Sequence, residues 1–158
     1  MASQTRKSKQ KTVIASGVFD LLHLGHVRFL EDAKKAGGIN AKLVVIVARD
    51  STTEKLKGQK PIMSEEQRCA LVKSLRVVDE AVLGFEGLEI GEVIEKIHPD
   101  IVALGYDQLS MEHEVKEYIA THNRPVLVVR ISKFGENTLD SSSKIKQQIL
   151  DKLAGNGS

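Results

Sequence analysis

The chain contains no tryptophan, and aromatic residues make up only 4% of its 158 residues. Few side chains can therefore stack on nucleic-acid bases. The formal net charge is +2, but residues 12–158 carry 19 basic and 21 acidic side chains, because four lysines and arginines lie before residue 12. A nucleic-acid interface needs an excess of positive charge that displaces counterions. We therefore expect no nucleic-acid partner.

Cysteine and long apolar runs are scarce as well. Cys69 is the only cysteine, so the chain has neither an internal disulfide nor the paired cysteines of common zinc sites, and it suits a reducing compartment. No apolar run approaches the ~18 residues of a membrane-spanning helix, and none follows the basic residues near the start. We predict a cytoplasmic protein with no membrane partner.

The size and composition are those of one ordinary domain. Hydrophobic residues make up 41% of the chain, enough to build a core. The first ten residues and the last five are small and polar and have no periodicity. We predict a single domain over residues 12–153, between flexible polar tails at residues 1–11 and 154–158.

Five short runs rich in valine and isoleucine alternate with stretches that have helical spacing. The runs are continuously apolar, which is typical of strands covered on both faces. Predicted strands are residues 12–16, 42–48, 80–83, 101–104 and 125–131, and predicted helices are residues 26–36, 64–74, 88–97, 110–121 and 141–153. The pattern predicts an α/β protein, a Rossmann-like three-layer sandwich with a parallel sheet of about five strands. Such sheets bind ligands beyond the carboxyl ends of their strands.

The first predicted strand runs directly into the sequence GVFDLLHLGH at residues 17–26, and a helix follows. His23 and His26 lie on this turn, where both imidazoles can face one point above the sheet edge. Gly25 would let a ligand approach the backbone, and the helix start offers free N–H groups and the positive end of its dipole. The pattern predicts a phosphate site with two extra donors.

Two other interpretations of the histidines stay open. They could form half of a metal site, although Cys69 and His98 lie on other elements and no carboxylate is spaced to complete it. They could also be a purely structural pair. The pattern H-x-G-H arises by chance in roughly one chain of this composition in a hundred, and more rarely behind a strand, which favours the phosphate site.

GVFD at residues 17–20 and HLGH at residues 23–26 resemble the signature of the cytidylyltransferase-like nucleotidyltransferases. The resemblance spans about residues 12–153, and several stretches are similar to archaeal-type FAD synthases within that superfamily. These stretches are residues 47–50, 57–61, 65–68, 78–84 and 103–108. Residues 131–138 depart from the R-T-E-G-I stretch of the cytidylyltransferases, which argues against a cytidylyltransferase.

The resemblance implies an enzyme that transfers the adenylyl group of ATP to FMN and forms FAD and pyrophosphate. Mg²⁺ or another divalent cation would come with the nucleotide, without a metal ligand from the chain, and a homodimer is the family expectation. One alternative is adenylyl or cytidylyl transfer to another small phosphorylated acceptor, such as glycerol-3-phosphate or a sugar phosphate. Another is a non-catalytic nucleotide sensor on the same fold.

The resemblance makes His23 and His26 the expected catalytic residues, as donors to the α-phosphate on which charge builds during transfer. The phosphate of FMN is mostly a dianion at pH 7, so no general base is required. The residues expected to contact the nucleotide are Gly17, Val18, Phe19, Leu24, Gly25, Tyr106, Asp107, Arg130, Ser141 and Ser142. Those expected to contact the substrate phosphate are Lys57, Lys60 and Arg68.

Some of these expectations have competing explanations. Tyr106 would line the base pocket or fill the core, and the two lysines could be ordinary solvated residues of a Gly/Pro loop. Ser141 and Ser142 open the last predicted helix, where the family has a Ser/Thr-rich start that holds the β- and γ-phosphates; an N-cap explains only one serine. Lys133 is a further candidate for the triphosphate.

Overall fold

A parallel sheet forms the centre of the computed structural model, which describes residues 9–86, 89–135 and 139–155. Its strands are β1 (Thr12–Gly17), β2 (Lys42–Val47), β3 (Glu80–Leu83), β4 (Ile101–Gly105) and β5 (Leu127–Ile131). The helices are α1 (Leu24–Ala36), α2 (Asp50–Lys57), α3 (Glu65–Lys73), α4 (Ile90–Ile97), α5 (Leu109–His122) and α6 (Ser142–Gly155). The predicted α/β class and Rossmann-like fold are confirmed.

The strand order is β3-β2-β1-β4-β5, and every neighbouring pair is parallel. Ile14 of β1 is level with Val44 of β2 on one side and with Val102 of β4 on the other. The chain builds outward from β1 in one direction and then returns to its other side, so the order reverses between β1 and β4. The carboxyl ends of these two strands flank the crevice where such sheets bind ligands.

Apolar residues cover both faces of the sheet. One core cluster packs Leu30 of α1 and Val72 of α3 against the strands, and the other packs Ile94 of α4 and Val115 of α5. These four side chains are almost fully buried. Burial on both faces explains why the strands are continuous apolar runs in the sequence.

The structure differs from the sequence-based boundaries in a few places. Helix α2 was not predicted, and α6 runs to Gly155, two residues into the expected tail. Leu88, the predicted first residue of α4, lies outside the described residues, as do residues 1–8 and 156–158 of the expected tails. Within the described ranges, no helix is both long and apolar enough to cross a membrane.

Candidate active site

The turn between β1 and α1 has an unusual backbone. Phe19 and Leu21 have φ values of 55° and 49°, in the left-handed region that residues other than glycine rarely adopt. Phe19 is 2% exposed, and a Cβ on Gly17 would lie 3.0 Å from its ring. The buried ring and the bare glycine therefore fix the turn. Strain of this kind persists where the surrounding structure holds it, as it does at many functional sites.

His23 and His26 are brought together at the start of α1. Their rings stack with centroids 3.7 Å apart and planes 24° from parallel, and the ring of Phe19 lies 5.3 Å from that of His26. Burial, and to a smaller extent the neighbouring His23 ring, lower the pKa of His26 to about 3. The Nδ1 atom of His26 accepts a hydrogen bond from the backbone N–H of His23 at 3.4 Å. His26 is therefore neutral at pH 7 and carries its proton on Nε2, as a donor.

Gly25 lies against two other parts of the chain. A Cβ at this position would lie 2.7 Å from the backbone oxygen of Asp140 and 2.9 Å from Nδ1 of His23. The missing side chain thus makes room for the residue before α6 and for the histidine ring. These contacts require a glycine at this position whether or not a ligand binds, so the approach of a ligand to its backbone stays a prediction.

Asp20 connects three parts of the site. Its carboxylate is nearly buried and accepts the backbone N–H groups of Ile62 at 3.0 Å and Met63 at 3.1 Å. Lys146 of α6 lies 3.4 Å from the same carboxylate. Burial opposes ionisation, but these partners hold the pKa of Asp20 below its usual value. The β1–α1 turn is therefore fixed to the loop before α3 and to α6.

The start of α6 lies against the histidine turn. Ser141 accepts the backbone N–H of Lys144 at 3.2 Å and so caps the helix, while the hydroxyl of Ser142 donates to the backbone oxygen of Asp20. The structure thus brings two of the predicted triphosphate residues next to His23 and His26. The positive end of α6 and that of α1 meet at one place.

Arg68 does not have the predicted role. Its side chain is 0% exposed, and its guanidinium donates to backbone oxygens of Val18, Ala48 and Met63 and to the carboxylate of Asp50 at 2.6 Å. These contacts join the ends of β1 and β2 to the loop before α3. The prediction that Arg68 contacts a substrate phosphate is wrong for this conformation, since the guanidinium faces the backbone instead of solvent.

Two carboxylates join the start of α2 to the start of α3, and the loop that carries Lys60 lies between these two helices. Glu65 accepts the backbone N–H of Asp50 at 2.7 Å and pairs with Arg49 at 2.9 Å, while Asp50 accepts the N–H of Glu65 at 3.4 Å. Each carboxylate therefore satisfies the start of the other's helix. Lys57 is exposed at the end of α2, and its charge contributes to lowering the pKa of His26. Lys60 is exposed within the loop.

The residues at and after the end of β4 form another side of the candidate site. Tyr106 is 47% exposed, so it does not fill the core, and Nζ of Lys133 lies 5.7 Å from the centre of its ring. Asp107 is exposed beside it. Gln108 accepts the N–H of Gly105 at 2.7 Å and donates to the backbone oxygen of Ser16 at 3.2 Å. This amide holds the carboxyl ends of β1 and β4 together across the crevice.

The remaining predicted residues lie at the edges of this site. Leu24, the first residue of α1, is 47% exposed. Arg130, near the end of β5, pairs with Glu112 of α5 through two contacts of 2.6 and 2.7 Å. The positive charge of Arg130 is therefore partly neutralised by this carboxylate of α5. No group of three or more histidine, cysteine or acidic residues in the described part of the chain could hold a metal ion, which gives the half-metal-site interpretation no support.

Comparison with known proteins identifies the family of this chain. The cytidylyltransferase-like family model matches residues 14–148. The chain belongs to the cytidylyltransferase-like family. The FAD synthase of Aciduliprofundum boonei is 47% identical over 141 residues, which cover 89% of this chain and 91% of that protein. The FAD synthase of Methanothermus fervidus is 48% identical over 136 residues, 86% of this chain and 92% of that protein.

Solved structures of similar chains have the same fold. A lipopolysaccharide core biosynthesis protein from Thermoplasma volcanium GSS1 superposes with a TM-score of 0.71 at 46% identity, covering 79% of this chain and 98% of that one. A protein of unknown function from Archaeoglobus fulgidus gives a TM-score of 0.60 at 15% identity and shares the fold alone. The cytidylyltransferase-like fold is therefore common to all three chains.

The sequence analysis missed several residues that build the candidate site. Asp20 and Gln108 stood inside quoted motifs, but a polar residue in a turn gave no sign of its partners. Lys146 and Glu65 had a weaker signal still, because both lie on helix faces where charged residues are normally solvated. Their roles depend on contacts between segments that are far apart in the chain.

Proposed function

We propose that this protein is an FMN adenylyltransferase, which transfers the adenylyl group of ATP to FMN and forms FAD and pyrophosphate. The stacked pair of His23 and His26 beside the start of α6 carries the proposal. This arrangement offers hydrogen-bond donors for an α-phosphate. Next to them, the positive end of the α6 dipole and its free N–H groups can bind the rest of a triphosphate. The FAD synthases that match most of this chain support FMN as the acceptor.

In the proposed reaction, a phosphate oxygen of FMN attacks the α-phosphorus of ATP. A new P–O bond forms, the bond to the β-phosphate breaks, and the electron pair leaves with pyrophosphate. The Nε2–H group of His26 donates a hydrogen bond to the α-phosphate, where negative charge increases in the transition state. One such donor contributes about 3–4 kcal/mol by analogy with oxyanion holes. The FMN phosphate is mostly a dianion at pH 7, so no residue needs to remove a proton.

The leaving group needs a separate binding place. We assign the β- and γ-phosphates to the start of α6, with Ser141 and Ser142, and place the α-phosphate near the backbone of Val18 and Phe19. Lys133, beside Tyr106, is near enough to Asp140 to lower the pKa of that carboxyl, after the larger effect of Lys144. It can therefore reach phosphates at this edge of the sheet.

The other predicted contacts complete the assignment. We assign Lys57 and Lys60 to the phosphate of FMN, since both are exposed at the loop next to the histidines. Tyr106 and Asp107 are assigned to the nucleoside, and Arg130 to the outer phosphates. Gly17 and Leu24 line the same edge. Arg68 takes no part in binding and instead holds the backbone of the β1–α1 turn.

A divalent cation would partly neutralise the triphosphate and the leaving pyrophosphate. The described residues contain no cluster of metal ligands, so the donor set fits an ion that arrives on the nucleotide's own oxygens better than a resident metal site. Mg²⁺ usually binds phosphates with one or two carboxylates and keeps several waters. Asp107 is an exposed carboxylate at this edge of the sheet that could contribute one ligand.

The cytoplasmic location and the homodimer stay predictions.

The proposed function is tested by pairing ATP or CTP with FMN, riboflavin, glycerol-3-phosphate or a sugar phosphate in the presence of Mg²⁺. Chromatography identifies the product, and a coupled assay measures pyrophosphate. We expect FAD from ATP and FMN, and nothing from riboflavin, which has no phosphate to attack. A CDP- or ADP-linked product from another acceptor, without FAD, would assign a different nucleotidyltransferase activity. Nucleotide binding without any product would indicate a sensor.

A further inference from the structure

Two buried polar atoms near the proposed α-phosphate site have no hydrogen-bond partner among the described residues. They are Nδ1 of His23 and Oδ2 of Asp140. The side chain of Asp140 is only 2% exposed, although the residue lies just before a surface helix. Buried polar atoms are nearly always hydrogen-bonded, so two unpaired atoms in one place require an explanation.

The two residues meet at the bare Cα of Gly25. A Cβ there would lie 2.9 Å from Nδ1 of His23 and 2.7 Å from the backbone oxygen of Asp140. The other carboxylate oxygen of Asp140, Oδ1, is already held by Lys144 at 2.5 Å. That pairing explains Oδ1 and leaves Oδ2 available. Burial lowers the pKa of His23, whereas the charge of Asp140 acts to raise it, so the two side chains interact electrostatically.

We propose that Asp140 is a positioning residue whose Oδ2 accepts a hydrogen bond from Nδ1–H of His23 and so directs Nε2 of that ring toward the α-phosphate. The inference rests on the proposed function for its meaning in catalysis. A carboxylate on one ring nitrogen fixes both the tautomer and the orientation of an imidazole. In the nucleotide-free protein, the neutral ring would then carry its proton on Nδ1.

This pairing gives the stacked histidines different roles. His26 accepts at Nδ1 and is a neutral donor, whereas His23 becomes a donor at Nε2 only when it takes up a second proton. The negative charges of Asp140 and of a bound triphosphate favour that imidazolium. The charged groups around the pair are Lys133 and Lys144 near Asp140, and Asp20 and Lys57 near His26.

The most direct test is the tautomer of His23 in the nucleotide-free, full-length protein. Long-range ¹H–¹⁵N correlation spectra of ¹⁵N-histidine-labelled protein at pH 7.5 distinguish Nδ1–H from Nε2–H, and a His23→Asn variant assigns the signals. We expect Nδ1–H in the parent and a change to Nε2–H in Asp140→Ala. An Nε2–H tautomer in the parent, or the same tautomer in both proteins, would overturn the proposal.

Kinetic measurements distinguish the effect of the charge of Asp140 from the effect of its hydrogen-bond acceptor. Asp140→Asn keeps a hydrogen-bond acceptor but removes the charge, so we expect kcat to fall about tenfold, with KM for ATP changed less than about threefold. Activity at alkaline pH should also fail earlier in this variant, because the imidazolium loses its stabilising partner. In Asp140→Ala, kcat should fall about 30-fold or more.

Asp151→Asn is the matched control, since Asp151 is an exposed carboxylate on the same helix that accepts from Gln147 at 2.8 Å. It should keep the parent's kcat and pH profile. Melting temperatures show whether each variant folds. Parent-like kcat and pH profile in both Asp140 variants would contradict the proposal. Failure of the parent to make FAD would refute the proposed function but leave the tautomer result valid, so the two failures are distinguishable.

Discussion

Helices α1 and α6 both begin at the site, but the protein holds them in different ways. Helix α1 follows β1 directly and buries Leu30 and Ala33 in the core. Helix α6 has no buried residue, and Leu150 and Leu153 are 60% and 69% exposed. It is attached chiefly by polar contacts at its first turns. Under the proposed assignment, the α-phosphate would therefore contact the rigid part of the fold, and the leaving pyrophosphate would contact a helix on its surface.

The largest difference between the two helices should be in stability. Leu30→Ala removes a fully buried side chain and should lower the free energy of unfolding by about 2–5 kcal/mol. Leu150→Ala, the matched change on α6, should cost less than about 0.5 kcal/mol. Urea denaturation of both variants measures this. Equal losses would mean that α6 is buried in solution, for example in a homodimer.

The next largest effect should be on catalysis at the start of α1. His26→Ala and His23→Ala should each lower kcat by about 100-fold or more, because the lost donors act mainly in the transition state. His113→Ala serves as the control, since His113 is an exposed histidine of α5. Steady-state kinetics with ATP and FMN checks this. If either site variant keeps near-parent turnover but both lose thermal stability, the pair is structural.

A charge at the start of α6 should affect binding rather than folding. Ser141→Asp keeps an oxygen that can cap Lys144 and places a carboxylate where the triphosphate is proposed to lie. KM for ATP should rise at least about tenfold, equivalent to 1.4 kcal/mol. The nucleotide-free variant should melt no lower than the parent, because a carboxylate suits an empty helix start.

Gln148→Glu adds the same charge to an exposed position in the second turn of α6 and is the control for Ser141→Asp. It should change KM for ATP by less than about twofold. If Ser141→Asp binds ATP as tightly as the parent does, the β- and γ-phosphates lie elsewhere. The serines would then be only a helix start.

The smallest effect is a loss of stability in mild acid. The pKa of His26 is about 3 in the folded protein and about 6.5 when unfolded, so the unfolded chain binds more protons below pH 6.5. The stabilisation is complete above that pH and is lost as pH falls toward 3. Between pH 6.5 and 5.5 the loss should be about 1 kcal/mol, and His23 adds to the same slope.

Denaturation of the parent and of His26→Gln at several pH values measures this slope. The variant should lose the share that belongs to His26, about 1 kcal/mol over the same interval. Asp20 does not interfere, because its pKa lies below its usual value and outside this window. An unchanged slope in the variant would show that His26 titrates normally in the folded protein.

Patterns that depend on neighbouring residues could be predicted from the sequence, and contacts between distant segments could not. The continuous apolar runs gave the five strands, and the H-x-G-H spacing placed the histidines on the first turn. Helix α2 was missed because its buried residues are Thr52 and Thr53 instead of a periodic apolar stripe. Arg68 was misassigned because an arginine on a helix is normally solvated, whereas here its guanidinium donates to three oxygens from distant segments and to one from the preceding loop.

The most direct test of the account is a crystal structure of the protein with FMN and an ATP analogue that has a methylene group between the α- and β-phosphates. We predict the α-phosphate within hydrogen-bond distance of His23 and His26, with the outer phosphates at Ser141 and Ser142. We also expect a phosphate oxygen of FMN opposite the methylene group. An α-phosphate remote from both histidines, or a triphosphate bound away from α6, would contradict it.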